Sequence, residues 1–400
     1  MSLQPLKPGT RSNKNKNMPA SYLFITGAYR SGTTLLEKLV HNHPKISIGS
    51  QPFPLLYFKV KQAFYSEMSI IRRYPLDHLF LEDAYTREEF HQFLDRFIIE
   101  KNFLNQMFRE MKCYSGLWTP EILEFRDKVK PGTFFNVYRQ LNHFIMTIFP
   151  KELLRYVGGK EVLCEEYIPY LLEKGVKVIL CIRDPRDMIS SLNFRQRDNQ
   201  TGENRPVLYS LRIWRKSFAF AFEFEGHPGF KWLRYEDIVD NSIEKLNQVF
   251  KFLSLPAIKS NDFINGIYDQ YGNVWMGNSS FDDKAGVSSN SIGKFKNSLP
   301  ESVISFIENT CYPEMKVLGY KFYLTPVFNE KTIRNYKDPF KKIHNKFPGN
   351  YSNSPGNIKK EIERLKMLKT GPALPAEEKK KWFLNHKCCN ALSSVFQKIE

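Results

Sequence analysis

Two hydrophobic patterns alternate along the chain. Short runs of consecutive apolar residues mark strands buried on both faces, and apolar residues recurring every three or four positions mark helices with one buried face. Tyr22-Leu23-Phe24-Ile25 is the first run, and from Thr34 the spacing turns helical through Leu35, Leu36, Leu39 and Val40. His41-Asn42-His43-Pro44 ends that helix, because the residue before a proline leaves the α region. Ile46-Ser47-Ile48 reads as a second strand, with Gly49-Ser50-Gln51-Pro52 as its turn. Residues 53 to 149 read as aromatic-rich helices broken at Pro75, Pro120 and Pro131-Gly132. Glu161-Val162-Leu163-Cys164 reads as a strand, followed by a helix over 168–174. The clearest buried strand is 177–182, after which Asp184-Pro185 opens a helix. A polar loop (195–206), a helix (207–224), a strand (230–235) and a helix (242–253) follow. Residues 271–293 then read as a loop and 300–318 as helical. Strands alternating with helices predict an α/β, three-layer, doubly wound and mostly parallel sheet with a large helical insertion.

The organisation expected is a basic disordered leader over 1–19, a main domain over 20–325 and a basic, partly helical C-terminal extension over 326–400. The insertion, 53–150, lies within the main domain and would form one wall of a binding site. In the extension, 358–369 and 377–389 read as helices without a core of their own. No internal repeat is present.

The formal charge of +17 and pI near 9.4 change the picture more than the ordinary 42% hydrophobic content. They favour an anionic partner: a nucleotide, an acidic polymer, nucleic acid or a membrane surface. Much of the excess sits at the two ends, so charge alone discriminates poorly. The N-terminal residues lack the apolar segment of a secretory signal, and no run is long enough to cross a bilayer. The six cysteines make no Cys-x-x-Cys pair, which suits a reducing, cytoplasmic setting. Cys164 and Cys181, in apolar strand-like contexts, read as buried thiols, and vicinal Cys388-Cys389 is not taken as a metal site.

Between the first strand and helix, Gly27-x4-Gly32 has the spacing of a phosphate-binding loop, but Thr33 stands where its lysine belongs. The cation is instead Arg30, ahead of Ser31-Gly32-Thr33-Thr34. Such a turn aims backbone N–H groups at an anion smaller than a triphosphate. Here the chain resembles the sulfotransferases that use 3′-phosphoadenosine 5′-phosphosulfate (PAPS), whose 5′-phosphosulfate loop reads Lys or Arg, then Ser-Gly-Thr-Thr. The resemblance implies a fold with P-loop NTPase-like topology and covers roughly residues 20 to 322.

Three further segments carry it, in family order. Arg183-Asp184-Pro185-Arg186-Asp187, with Ser191 eight residues after Arg183, is similar to the family's 3′-phosphate motif and implies that Arg183 and Ser191 hold that phosphate. Arg186 and Asp187 read as a structural ion pair. Arg234-Tyr235-Glu236-Asp237 resembles the Tyr-Glu-Asp segment whose tyrosine lines the adenine pocket, which implies that role for Tyr235. Ser291-Ile292-Gly293-Lys294-Phe295 resembles the late loop over the 3′-phosphate, with Phe in place of Trp, and carries Ser291, Gly293 and Lys294 into the cofactor site.

The implied reaction moves a sulfuryl group in-line from PAPS to an acceptor hydroxyl on a carbohydrate or small molecule, without a metal. Charge builds on the bridging oxygen, so cations and N–H donors are needed there, plus a base for the acceptor. Arg30 and the amides of Ser31 to Thr34 supply the first. Lys160 sits where many family members carry an active-site lysine and is the second candidate catalytic cation. The base stays open among His41, His43, His143, Glu165 and Glu166, because Gln51 occupies the place where some relatives carry a glutamate. The basic charge leans towards an anionic acceptor such as a carbohydrate. The rivals are a P-loop kinase, which needs a cation after Gly32, and a non-enzymatic nucleic-acid-binding protein. No nucleic-acid partner is expected, and the acceptor, the oligomeric state and the role of the extension stay open.

Overall fold

The computed structural model describes residues 20–396 except 72–73, 82–84, 196–200, 203–204, 260–262, 264–266, 270, 277–285, 341–350 and 353. The expected leader over 1–19 and parts of the loops at 195–206 and 271–293 therefore lie outside the described residues.

Five parallel strands form one sheet: β1 (Ser21–Gly27), β2 (Ile46–Ser50), β3 (Tyr156–Lys160), β4 (Lys177–Ile182) and β5 (Phe230–Arg234), in the order β2-β3-β1-β4-β5. The chain is thus a doubly wound α/β protein. Alternate residues of each strand feed opposite faces. Phe24, Val178, Leu180 and Ile182 join a large core. Leu23, Ile25, Ile179 and Cys181 join a smaller one. The smaller core is closed by α1 (Thr33–His41), α9 (Tyr235–Asp240) and α10 (Ser242–Phe252). The larger holds the helices of the insertion, α2 (Pro54–Glu67), α3 (Arg87–Arg96), α4 (Lys101–Met111) and α5 (Phe134–Ile148). It also holds α6 (Ile168–Glu173), α7 (Pro185–Asn193) and α8 (Val207–Phe224). β1 lies between β3 and β4, so the chain leaves it towards both sheet edges. The C-terminal strand ends beside it are where such folds hold ligands.

The third strand is displaced from its expected place. It runs Tyr156–Lys160, and Glu161 to Cys164 form the loop beyond it, so Cys164 is buried in a loop rather than in a strand. The reason is steric. A Cβ at Gly158 would stand 1.6 Å from the Leu23 carbonyl oxygen, so Gly158-Gly159 is what lets β3 lie against β1. A double glycine carries no apolar signal, and the apolar pair after it drew the expected strand four residues too late.

Arg186 and Asp187 do not pair with each other. Arg186 forms an ion pair with Asp184 at 2.6 Å and another with Glu308. The capping geometry explains this, since Asp184 also accepts the Arg186 N–H at 2.9 Å. The helix expected over 377–389 is two helices, Ala376–Phe383 and His386–Phe396, parted where Leu384 turns to φ 65°. These and the helix Pro355–Thr370 pack into the larger core. There Glu361 accepts charge from Arg212, Arg215 and Arg364, all buried. The three guanidiniums outweigh its burial and hold its carboxyl far below the usual range. Among the described residues, no helix is long and apolar enough to cross a membrane.

Candidate functional site

A cavity of about 310 Å³ opens at the C-terminal ends of the strands. The backbone around it is unusual. Arg30, Gln51 and Leu163, which follow β1, β2 and β3, have φ of 58°, 39° and 65°. Non-glycine residues in that region are strained, and such strain gathers at functional sites.

Over β1, β4 and β5 the wall is basic. Arg30 Nε donates to Ser191 Oγ at 2.9 Å, and Arg183 Nη1 donates to the Arg30 carbonyl at 3.1 Å. Arg183 Nη2 donates to the Ser291 carbonyl at 2.5 Å, and its guanidinium lies 4.6 Å from the centre of the Tyr235 ring. Arg183 Nε is buried without a hydrogen-bond partner among the described residues. The Arg183 carbonyl is pinned by Trp214 Nε1 of α8 at 2.8 Å. Tyr235 shares a 2.5 Å hydroxyl contact with Ser291 and packs against Gly32, where a Cβ would come within 2.1 Å of the ring. Gly32 itself has φ 92°, so a side chain there fails on both counts. The first helical bond of α1 runs from Leu36 N–H to the Gly32 carbonyl, which leaves the amides of Thr33 and Thr34 ahead of the helical ladder. Burial, with Arg183 and Arg195 near, lowers the Arg30 pKa to about 10.

The two motifs meet at one cavity. Arg30 of the first touches Ser191 of the second. Among the expected cofactor residues, Arg30, Gly32, Thr33, Thr34, Arg183 and Ser191 line this one cavity, as do Tyr235 and Ser291. The Ser31 hydroxyl turns inward to donate to the Ala28 carbonyl at 2.7 Å. Gly293 and Lys294 stand behind the wall. The N–H groups of Gly293 and Phe295 donate to Asp187 at 2.7 and 3.0 Å, so this carboxylate ties the late loop to α7.

Over β2 and β3 the wall is aromatic. Lys160, the last residue of β3, is fully buried beneath it. Its Nζ lies 3.2 Å from Gln51 Oε1 and 4.5 Å from the centre of the Trp118 ring. Burial lowers its pKa to about 8, against the pull of Glu37 and Glu161. Gln51 Nε2 donates to the Gly116 carbonyl at 2.6 Å, and the Thr119 hydroxyl to the Ser50 carbonyl at 2.8 Å. These bonds stitch segment 114–119 of the insertion onto the end of β2.

None of the five candidate bases borders this cavity. His41 bonds the Ile48 backbone at 3.0 Å, and burial lowers its pKa to about 3. His43 accepts the Lys45 N–H at 3.1 Å, and His143 is exposed on α5. Glu165 pairs with Lys216 at 3.3 Å, and Glu166 pairs with Lys61. The carboxylate that does line the cavity is Glu161, held by the Phe53 N–H at 3.0 Å. Burial raises its pKa to about 8. It was missed because it was read as the first residue of a strand; the signal available was its place directly after Lys160.

No curated protein matches the chain. Among solved structures it is similar to the sulfotransferase domain from the curacin biosynthetic pathway (TM-score 0.41, 18% identity, 76% of this chain and 99% of that one). It is also similar to the sulfotransferase domain from the Synechococcus PCC 7002 olefin synthase (0.39, 14%, 73% and 93%). A third is retinol dehydratase in complex with androsterone and inactive cofactor PAP (0.38, 16%, 75% and 82%). Residues 23–259, which include the Arg30 loop, the Arg183 helix and Tyr235, match the family described as the sulfotransferase family. With more than half of its length in that match, the chain belongs to the sulfotransferase family.

Proposed function

We propose that the protein transfers a sulfuryl group from PAPS to an acceptor hydroxyl, in-line and without a metal. One observation carries this reading: two guanidiniums, from Arg30 and Arg183, converge on one cavity beside an amide-rich helix start, and among the described residues the buried Arg183 Nε has no partner. Such a site suits an anion with more than one charged end. PAPS, when bound, supplies a sulfuryl group on a phosphate leaving group. In this reading Arg183, Ser191 and Ser291 hold the 3′-phosphate, Tyr235 flanks the adenine, and Gly293 and Lys294 support the loop over it. Arg30 and the amides from Ser31 to Thr34 hold the 5′ end and take up charge on the bridging oxygen. Lys160 contributes further positive charge from below.

The test is thermal stability with 3′-phosphoadenosine 5′-phosphate (PAP), or with ATP and Mg²⁺. A ligand at one hundred times its Kd stabilises the native state by about 2.7 kcal/mol. PAP should raise the melting temperature, ATP with Mg²⁺ much less, and Arg183→Ala should abolish most of the PAP shift. Sulfuryl transfer from labelled PAPS should survive EDTA. Stabilisation by ATP with Mg²⁺ alone would replace the reading with a phosphoryl transferase.

A further inference from the structure

The two sides of the cavity differ in charge as well as in place. Over β2 and β3 the described lining includes Pro54, Tyr74, Leu76, Tyr114 and Trp118 with the polar Gln51 and Ser115, and Glu161 is its one carboxyl group. Both lining arginines, Arg30 and Arg183, belong to the other side. The Lys160 amine is fully buried between the Gln51 carbonyl oxygen and the Trp118 ring. Arg205 does not itself line the cavity, although it lies 4.5 Å from the centre of the lining Tyr29 ring and its charge reaches the Tyr114 hydroxyl. Further positive charge is sequestered around Glu361, where Arg212, Arg215 and Arg364 are at most 3% exposed. The high net charge of the chain therefore does not describe this wall. An acceptor carrying its own negative charge would give up water against this wall and gain no lining cation in return, and as Glu161 ionises with rising pH the two negative charges would repel. An apolar ring would bury against five apolar or aromatic side chains.

We infer that this half takes a neutral or cationic acceptor, its hydroxyl carried on an apolar, ring-bearing frame, and that Glu161 receives the hydroxyl proton. The inference rests on the sulfotransfer reading above and replaces the anionic carbohydrate that net charge alone suggested. Glu161 is 2% exposed, lines the cavity, and has Oε1 fixed by the Phe53 N–H. In the step, the acceptor oxygen forms a bond to sulfur as the bond from sulfur to the bridging oxygen breaks. The electron pair of the broken bond leaves on the 5′-phosphate of PAP, and the acceptor proton passes to the Glu161 carboxylate. Burial raises the pKa of that group to about 8, which makes it a stronger base than an exposed glutamate. A raised pKa means that the ionised fraction grows as pH climbs, so kcat should rise between pH 6 and 8.

The experiment uses labelled PAPS with three phenols of nearly equal size: 4-ethylphenol (neutral), tyramine (cationic) and 4-hydroxyphenylacetate (anionic). The expected kcat/KM for the first two exceeds that for the third by about tenfold or more, roughly one repulsive contact. Glu161→Gln, which keeps an acceptor for the Phe53 N–H, should lower kcat about a hundredfold and remove its rise with pH. Glu161→Asp should restore part of both, and the PAP thermal shift should be the same in all three proteins. Equal turnover of the anionic phenol overturns the inference, as does an unchanged kcat in Glu161→Gln. Turnover of none of the three, with the PAP shift intact, overturns it while leaving PAPS use standing. Absence of a PAP shift in the wild type would bring down both.

Discussion

Over β1, β4 and β5, the main anion-site residues follow strand ends: Arg30 after Gly27, Arg183 directly after Ile182, Tyr235 directly after Arg234, and Ser191 on the helix that follows β4. Trp275, Gly286, Ser288, Asn290 and Ser291, well beyond the last strand, are the exceptions. Over β2 and β3, the wall is assembled from Gln51, the 74–76 segment, the 114–118 segment and Glu161, brought together across more than a hundred residues. The first half is a local product of strand-to-helix turns and can change little without losing its turn geometry. The second is a product of tertiary packing, where one substitution reshapes a wall without touching the anion site. In the PAPS reading, the acceptor wall can therefore change while the anion site stays as it is.

The largest effect that would sharpen this contrast is expected from Arg30→Ala. Loss of one charge-stabilising donor typically costs two to three orders of magnitude in turnover. The expected result is a kcat lowered about 10²–10³-fold with the acceptor KM nearly unchanged. A variant whose main defect is acceptor KM would blur the two halves into one. Next comes Glu361→Gln, away from both walls. Breaking a buried ion-pair cluster costs about 3–5 kcal/mol, because the arginines lose their partner inside the protein. The denaturation midpoint should fall, with the ratio of acceptor preferences unaltered at a temperature where the variant is folded. The smallest effect belongs to Trp118→Ala. The ring is 39% exposed, so its loss should raise the acceptor KM about tenfold, in line with partial loss of an aromatic contact. The PAP thermal shift should stay at the wild-type value, and an equal loss of both would count against a two-part cavity.

Much of the fold was legible because strands buried on both faces read as continuous apolar runs, as Lys177–Ile182 does without error. β3 was misplaced because its middle is Gly158-Gly159, where the absence of a side chain is itself the adaptation. The Arg30 and Arg183 motifs were legible, since both cations sit on short segments of fixed local geometry. Their direct contact through Ser191 was not, because it joins residues 161 positions apart. The base candidates failed for a related reason. His41, Glu165 and Glu166 have suitable chemistry, but packing commits them to the Ile48 backbone, Lys216 and Lys61. Asp187 was assigned to the neighbouring arginine, although its partners are main-chain amides more than a hundred residues on.

Those two amides give Asp187 a bearing on timing. One carboxylate on α7 bolts the 291–295 segment shut, and the Ser291 carbonyl in that segment is what Arg183 reaches. In the PAPS reading, the expected consequence is that release of spent nucleotide depends on these two hydrogen bonds. Asp187→Ala should raise the PAP off-rate in a stopped-flow chase. If product departure paces the cycle, the weakened protein would be the faster catalyst at saturating PAPS; an unaltered off-rate would show that the bolt holds nothing.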